Sequence, residues 1–134
     1  MHKERKLKYS QLEADYEFSP SSYKLDHSSV ATYLKAVEDS SSLYQGAELV
    51  PPMAIAAHAI AALSESISLP PGTIHVSQEL EFIDTVSIND TLTSYARVSR
   101  QQSRGKFHLL GIDFNVSNQR QKTVLTGKTS FILP

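Results

Sequence analysis

His75, Ser77, Glu79 and Glu81 occupy alternate positions of one segment, so an extended chain puts a histidine and two carboxylates on the same strand face. Imidazole beside carboxylate is the chemistry of an acid–base pair or of a metal site. A strand rises about 3.3 Å per residue, which sets His75 and Glu79 roughly 13 Å apart, too far to hold one metal ion without ligands from another element. No metal centre is therefore expected. Gln78 falls on the other face, flanked by Val76 and Leu80, and an amide buried there needs partners that a ligand or a subunit interface would supply. His58 stands inside an apolar run, where it could meet a ligand tunnel, although a core histidine bonded to a backbone carbonyl is the commoner arrangement.

The chain that must position these groups has 134 residues, 40% of them apolar and 20% charged, enough for one domain with a single core. Thirteen Lys+Arg against fourteen Asp+Glu leave a net charge of −1, so there is no broad positive field for nucleic acid or for an acidic membrane surface. A small-molecule or protein partner is expected instead. The absence of cysteine removes disulfides, thiolate zinc sites, iron–sulfur clusters and cysteine nucleophiles. The charged start of the chain runs into polar sequence without the apolar stretch of a secretory signal, which makes a cytoplasmic location the default expectation.

Residues 1–15 are polar and lack a sustained period, which predicts a tail, frayed or a short surface helix, ahead of one domain over residues 16–134. Residues 16–25 are aromatic-rich but broken by Ser19, Pro20, Ser21 and Ser22, as in an interrupted edge strand. Asp26 or Ser28 caps a helix whose apolar stripe is Val30, Tyr33, Leu34 and Val37. Pro51 and Pro52 open a second helix, and its run from Met53 to Leu63 is about half the length a bilayer needs. Being apolar on nearly all sides, that helix should be wrapped by other elements. Beyond Gly72 the period becomes two, with Ile74, Val76, Leu80 and Phe82 on one face, and three more strands follow as a meander, the last expected to be weakened at Gly127. A sheet curled about the helix buries this pattern best. Its outer face, with Tyr95, Val124 and Ile132 among polar positions, points to dimerisation, back to back or edge to edge.

A helix wrapped by an antiparallel sheet is the α+β hotdog architecture, and specific residues carry the likeness further. Tyr33-Leu34-Lys35-Ala36-Val37-Glu38-Asp39 with Tyr44 after it, Pro51-Pro52, the stretch from His75 to Phe82, and Asn89-Asp90-Thr91-Leu92 resemble the MaoC-like acyl dehydratase branch. The resemblance is closest to the N-terminal-type half, which in double-hotdog members often lacks the catalytic pair. Active members carry an Asp followed five positions later by a His, which together activate water for addition to an enoyl thioester. Asp39 falls on the acid's position and Tyr44 on the histidine's, and a tyrosine titrating at about 10 is a poor general base at neutral pH. Tyr44 then either bonds the acyl substrate or fills the histidine's space.

The resemblance also implies a substrate-binding helix start at Pro52, Met53 and Ala54, where unpaired N–H groups around Met53 and Ala54 polarise the thioester carbonyl. His75 and Gln78 complete the substrate-binding set. Arg97, Arg100, Arg104 and Lys106 could meet coenzyme A phosphates, although a solvated hairpin explains them as well. The implied function is a (3R)-hydroxyacyl-CoA hydratase/dehydratase or its non-catalytic partner subunit. No cofactor is implied beyond a coenzyme A or acyl-carrier thioester as substrate. The implied assembly is a homodimer or a heterodimer with a second hotdog subunit. A non-catalytic acyl-binding or assembly module is the alternative, and a hotdog thioesterase ranks last, since the central helix offers only His58 before Glu65.

Overall fold

The structure, a computed structural model, describes residues 6–39 and 48–134. In chain order it contains β1 (Leu7–Lys8), a single 3-10 turn (Tyr9–Gln11), β2 (Ser21–Lys24), α1 (His27–Ala36), α2 (Pro52–Ser66), β3 (Ile67–Ser68), β4 (Ile74–Phe82), β5 (Thr91–Arg104), β6 (Phe107–Ser117) and β7 (Thr123–Leu133). Five strands form one antiparallel sheet in the order β2-β5-β6-β7-β4, while β1 pairs in parallel with β3. The meander β5-β6-β7 turns at Gly105, which takes the left-handed conformation a tight reversal needs, and again before β7 around buried Asn118.

The Asp26 carboxylate accepts from the Ser29 N–H at 2.8 Å and caps α1. At the other end Glu38 N–H donates to the Lys35 carbonyl and Asp39 N–H to the Leu34 carbonyl, with Glu38 itself left-handed at φ 56°. This is a Schellman closure built without its usual glycine. Replacing Glu38 by glycine relieves the Cβ strain, and thermal unfolding of Glu38→Gly should show a gain of about 1 kcal/mol. Val37, assigned to the apolar stripe, sits instead at the C-cap and is exposed.

α2 begins at Pro52 as its prolines require, and it lays Ala54, Ile55, Ala56, Ala59 and Leu63 against the sheet. Leu92, Phe114, Val116 and Leu125 meet the first four in one core cluster, while Leu63 belongs to a second. The helix is not enclosed on all sides, however: Met53, Ala57, His58 and Ala61 form an exposed stripe. Small alanines let one face approach the sheet closely, but a single sheet covers only one side of a helix.

The N-terminal segment also departs from expectation. Leu7 pairs with Ile67, Leu12 has no solvent exposure, and it packs in a second cluster with Phe18, Val98, Leu110 and Leu133. The domain therefore begins by Leu7, not at residue 16. The interrupted edge expected over residues 16–25 is present, as Glu17 bridges Arg97 and β2 pairs with β5 from Ser21 onward.

Candidate functional site

A β-bulge decides which side chains of β4 share a face. The ladder with β7 runs Ile74 to Ile132 and His75 to Phe131, skips Val76, and resumes with Ser77 to Ser130 and Gln78 to Thr129. Directly opposed residues lie on the same face, so the skipped residue reverses the alternation. His75, Gln78, Leu80 and Phe82 face inward with Thr129 and Phe131, while Ser77, Glu79 and Glu81 face outward. The grouping of His75 with the two glutamates is thus overturned, and His75 and Gln78 are brought together. His75 Nε2 lies 2.7 Å from Thr129 Oγ1, and the imidazole stacks on Phe131 at 4.9 Å between ring centroids. Thr129 is buried, but His75 and Gln78 are exposed on the inner face of an edge strand, beyond the cover that α2 provides.

The start of α2 borders a cavity of about 390 Å³ lined by Val50, Pro52, Ile55, Phe82, Ile83 and Val86, with Asp84 and Thr85 also on its wall. Pro51 and Pro52 have no N–H, and the Ala54 N–H already donates to the Pro51 carbonyl at 3.0 Å. Of the two amides proposed for a thioester, Met53's stands ahead of the helical ladder and Ala54's is engaged. The Ala54 side chain is itself buried in the core. The cavity walls contributed by Phe82, Ile83 and Val86 have no motif in the sequence. The signal for them is the break in alternation at Phe82-Ile83, where two large apolar residues follow one another and both remain exposed.

Beside this cavity Asp84 pairs with Lys122, whose ammonium, with the Thr85 N–H, lowers the carboxyl below the ordinary aspartate value. A carboxyl with a depressed folded pKa contributes stability above its unfolded value and loses that contribution as pH falls through the folded one. Asp84→Asn should therefore melt below the parent at neutral pH, and the gap should close in melts taken at progressively lower pH, below about 3.9.

The remaining candidates separate. Asp39 is half-buried, with its backbone fixed by the Schellman closure, and Tyr44 lies outside the described residues. His58 is exposed on α2 and stacks on Tyr23 at 5.6 Å, so it is not a core histidine. Burial pushes the Tyr23 phenol above its ordinary pKa, and its hydroxyl lies 2.9 Å from Ser94 Oγ. Arg97 is committed to Asp15 at 3.2 Å, and Arg100 to Gln102 at 2.7 Å. Arg104 and Lys106 flank the β5–β6 turn on the surface.

A larger depression of about 830 Å³ crosses the outer face of the sheet. Five of its charges, Glu17, Arg97, Asp113, Lys128 and Glu79, stand in register across the sheet, alternating in sign, and Glu81 adds a further carboxylate. The smaller of these two cavities is apolar and next to a helix start, the usual setting of a small-molecule site.

No family model matches the sequence, and no curated protein matches it. Solved structures do. The unliganded R-hydratase PhaJ1 from Pseudomonas aeruginosa superposes with a TM-score of 0.80 at 20% identity, over 94% of this chain and 84% of that one. An (R)-hydratase from A. caviae involved in PHA biosynthesis gives 0.78 at 20% identity, over 92% and 98%. A chain of the ChsH1–ChsH2 complex from Mycobacterium tuberculosis gives 0.74 at 11% identity, over 90% and 98%. The chain is a hotdog domain, as the sheet order and the central helix had indicated.

Proposed function

We propose that this chain is a MaoC-like hotdog module that binds an acyl thioester in the cavity at the start of α2. The observation that carries the reading is the apolar lining of Val50, Ile55, Phe82, Ile83 and Val86 beside the start of α2 at Pro52, one residue ahead of the Met53 amide. An acyl chain gains by leaving water there, and the amide offers a donor to a polarised carbonyl. The similarity in fold to hydratases of (R) stereochemistry supports this substrate class. With tyrosine at position 44, binding without turnover is the expected behaviour of the chain alone.

The test is isothermal titration with crotonyl-coenzyme A, run beside an enoyl-absorbance assay of hydration. Ile83 is exposed and lines the cavity, so Ile83→Asp should leave folding intact and weaken binding roughly tenfold or more. Unchanged affinity in that variant would place the ligand elsewhere. Turnover that disappears in Asp39→Ala would make the chain a hydratase in its own right, with Asp39 positioning water.

The same reading includes a dimer formed edge to edge. The outer face does not suit back-to-back stacking, because its charge row reads the same from either end and an in-register two-fold copy sets like charge on like. Val124, expected on that face, is buried in the core beside the bulge at Val116/Ser117. Exposed apolar side chains gather instead along β4 and just after it, at Ile74, Val76, Phe82 and Ile83.

A further inference from the structure

The net charge of −1 averages an uneven distribution. Residues 70–78, 99–112 and 129–134 come together at one end of the sheet, and they hold Arg100, Arg104 and Lys106 without a single aspartate or glutamate. Among the described residues no carboxylate pairs with any of the three cations. Arg100 donates to the neutral Gln102 amide, and the ion pairs engage Arg97 and Lys122 instead.

The strand register sets these cations around an apolar patch on the outer face. His75 faces inward, so its neighbour Ile74 faces outward, and Ile132 and Leu109 continue the same cross-strand row. Phe107 precedes Leu109 by two residues on β6 and shares its face, with Arg104 directly opposite. Arg100, opposite Gly111, lies on that face as well. Ile74 is 61% and Phe107 59% exposed, while Leu109 and Ile132 are half-buried. The ladder with β7 stops at His108, so the turn that carries Arg104, Lys106 and Phe107 projects past the end of β7.

We propose that this end of the outer face docks on an anionic lipid bilayer. Phe107 and Ile74 enter the boundary between headgroups and acyl chains, and Arg100, Arg104 and Lys106 reach the anionic headgroups. Exposed apolar side chains rimmed by cations gain both from leaving water and from the negative surface potential of such a bilayer. A second copy fits this patch poorly, because two cationic rims would meet. Single-stranded nucleic acid asks for a charged groove with several stackable rings, whereas three of these four apolar side chains are aliphatic and the fourth stands on a projecting turn. The acyl cavity lies elsewhere: from Phe107, β6 runs roughly 30 Å to Val116, which packs with Val50, Ile55 and Val86. Edge-to-edge pairing leaves the outer face open, so the docking surface stands apart from both earlier proposals.

The chain has no tryptophan, so Phe107→Trp places one fluorescent reporter in the patch. Its emission should shift to the blue with phosphatidylcholine vesicles containing about a third phosphatidylserine, and stay unshifted with phosphatidylcholine alone. The wild-type chain should sediment with the anionic vesicles, and less of it as salt is raised. Arg104→Gln/Lys106→Gln should weaken that binding about tenfold or more, and Ile74→Ser/Phe107→Ser about fivefold or more. All four side chains are exposed, and thermal melts verify that both double variants remain folded.

No sedimentation with anionic vesicles, equal sedimentation with both kinds, an unshifted indole, or full binding by either folded double variant would overturn the proposal. So would a chain that ignores vesicles and binds a single-stranded oligonucleotide, which would assign the patch to nucleic acid.

Discussion

Leu12→Ala should lower the unfolding free energy by about 2–5 kcal/mol, which in a domain of this size is a fall in Tm on the order of 10 °C. Leu12 is fully buried, and Phe18, Val98, Leu110, Ile112 and Leu133 from three strands and the N-terminal segment close around it. The backbone on either side is tied down, with Leu12 N–H donating to the Tyr9 carbonyl and Asp15 N–H to that of Val98. Gln101 adds a side-chain bond to the Tyr9 carbonyl at 3.0 Å. With its surroundings held this way, the site cannot collapse to fill the cavity, which puts the cost toward the upper part of the range. A residue in a polar tail would change stability by no more than about 0.5 kcal/mol, so chemical denaturation of this one variant separates the two descriptions.

The reason Leu12 escapes a reading of the sequence is that one buried side chain has no period. Its neighbours Gln11, Glu13, Ala14 and Asp15 are exposed, and only the fold brings β3 and β5 to the segment. The features that could be read have local causes: the Asp26 cap, the two prolines at the start of α2, the turn at Gly105 and the alternation of the meander. At the site, Pro52 lines the cavity, while Met53 is not among its lining residues. The face of His75 was misassigned because a bulge at Val76 leaves no signature in residue types, and a one-residue skip moves every side chain before it to the opposite face. The open side of α2 was hidden for another reason: an alanine-rich apolar helix looks equally burial-prone whether one sheet covers it or a second copy completes the cover.

Gly127→Ala should be clearly destabilising although it adds only a methyl group. Gly127 lies on β7 directly opposite Phe114 of β6, and a Cβ built there would stand 2.3 Å from Phe114 Cζ, a distance no pair of carbons tolerates. Its backbone is not in the left-handed region, so the demand for glycine comes from packing: the strand is bare there because the phenyl ring lies across it. Glycine in a strand interior usually weakens it, and the sequence alone predicts that weakening, but here the ring of a neighbouring strand occupies the vacated space. Phe114 is 5% exposed and belongs to the core cluster shared with α2, so it cannot swing into solvent to admit the methyl. Relief requires moving the ring into Ile55's and Leu125's cluster or separating β6 from β7, and overpacking of this kind costs about 1–3 kcal/mol or more. The second variant, Phe114→Leu, removes the ring, so the double substitution Gly127→Ala/Phe114→Leu should lose less than the sum of the two single losses. Thermal melts of the four proteins measure that coupling, and strict additivity would show that the ring does not rest on Gly127.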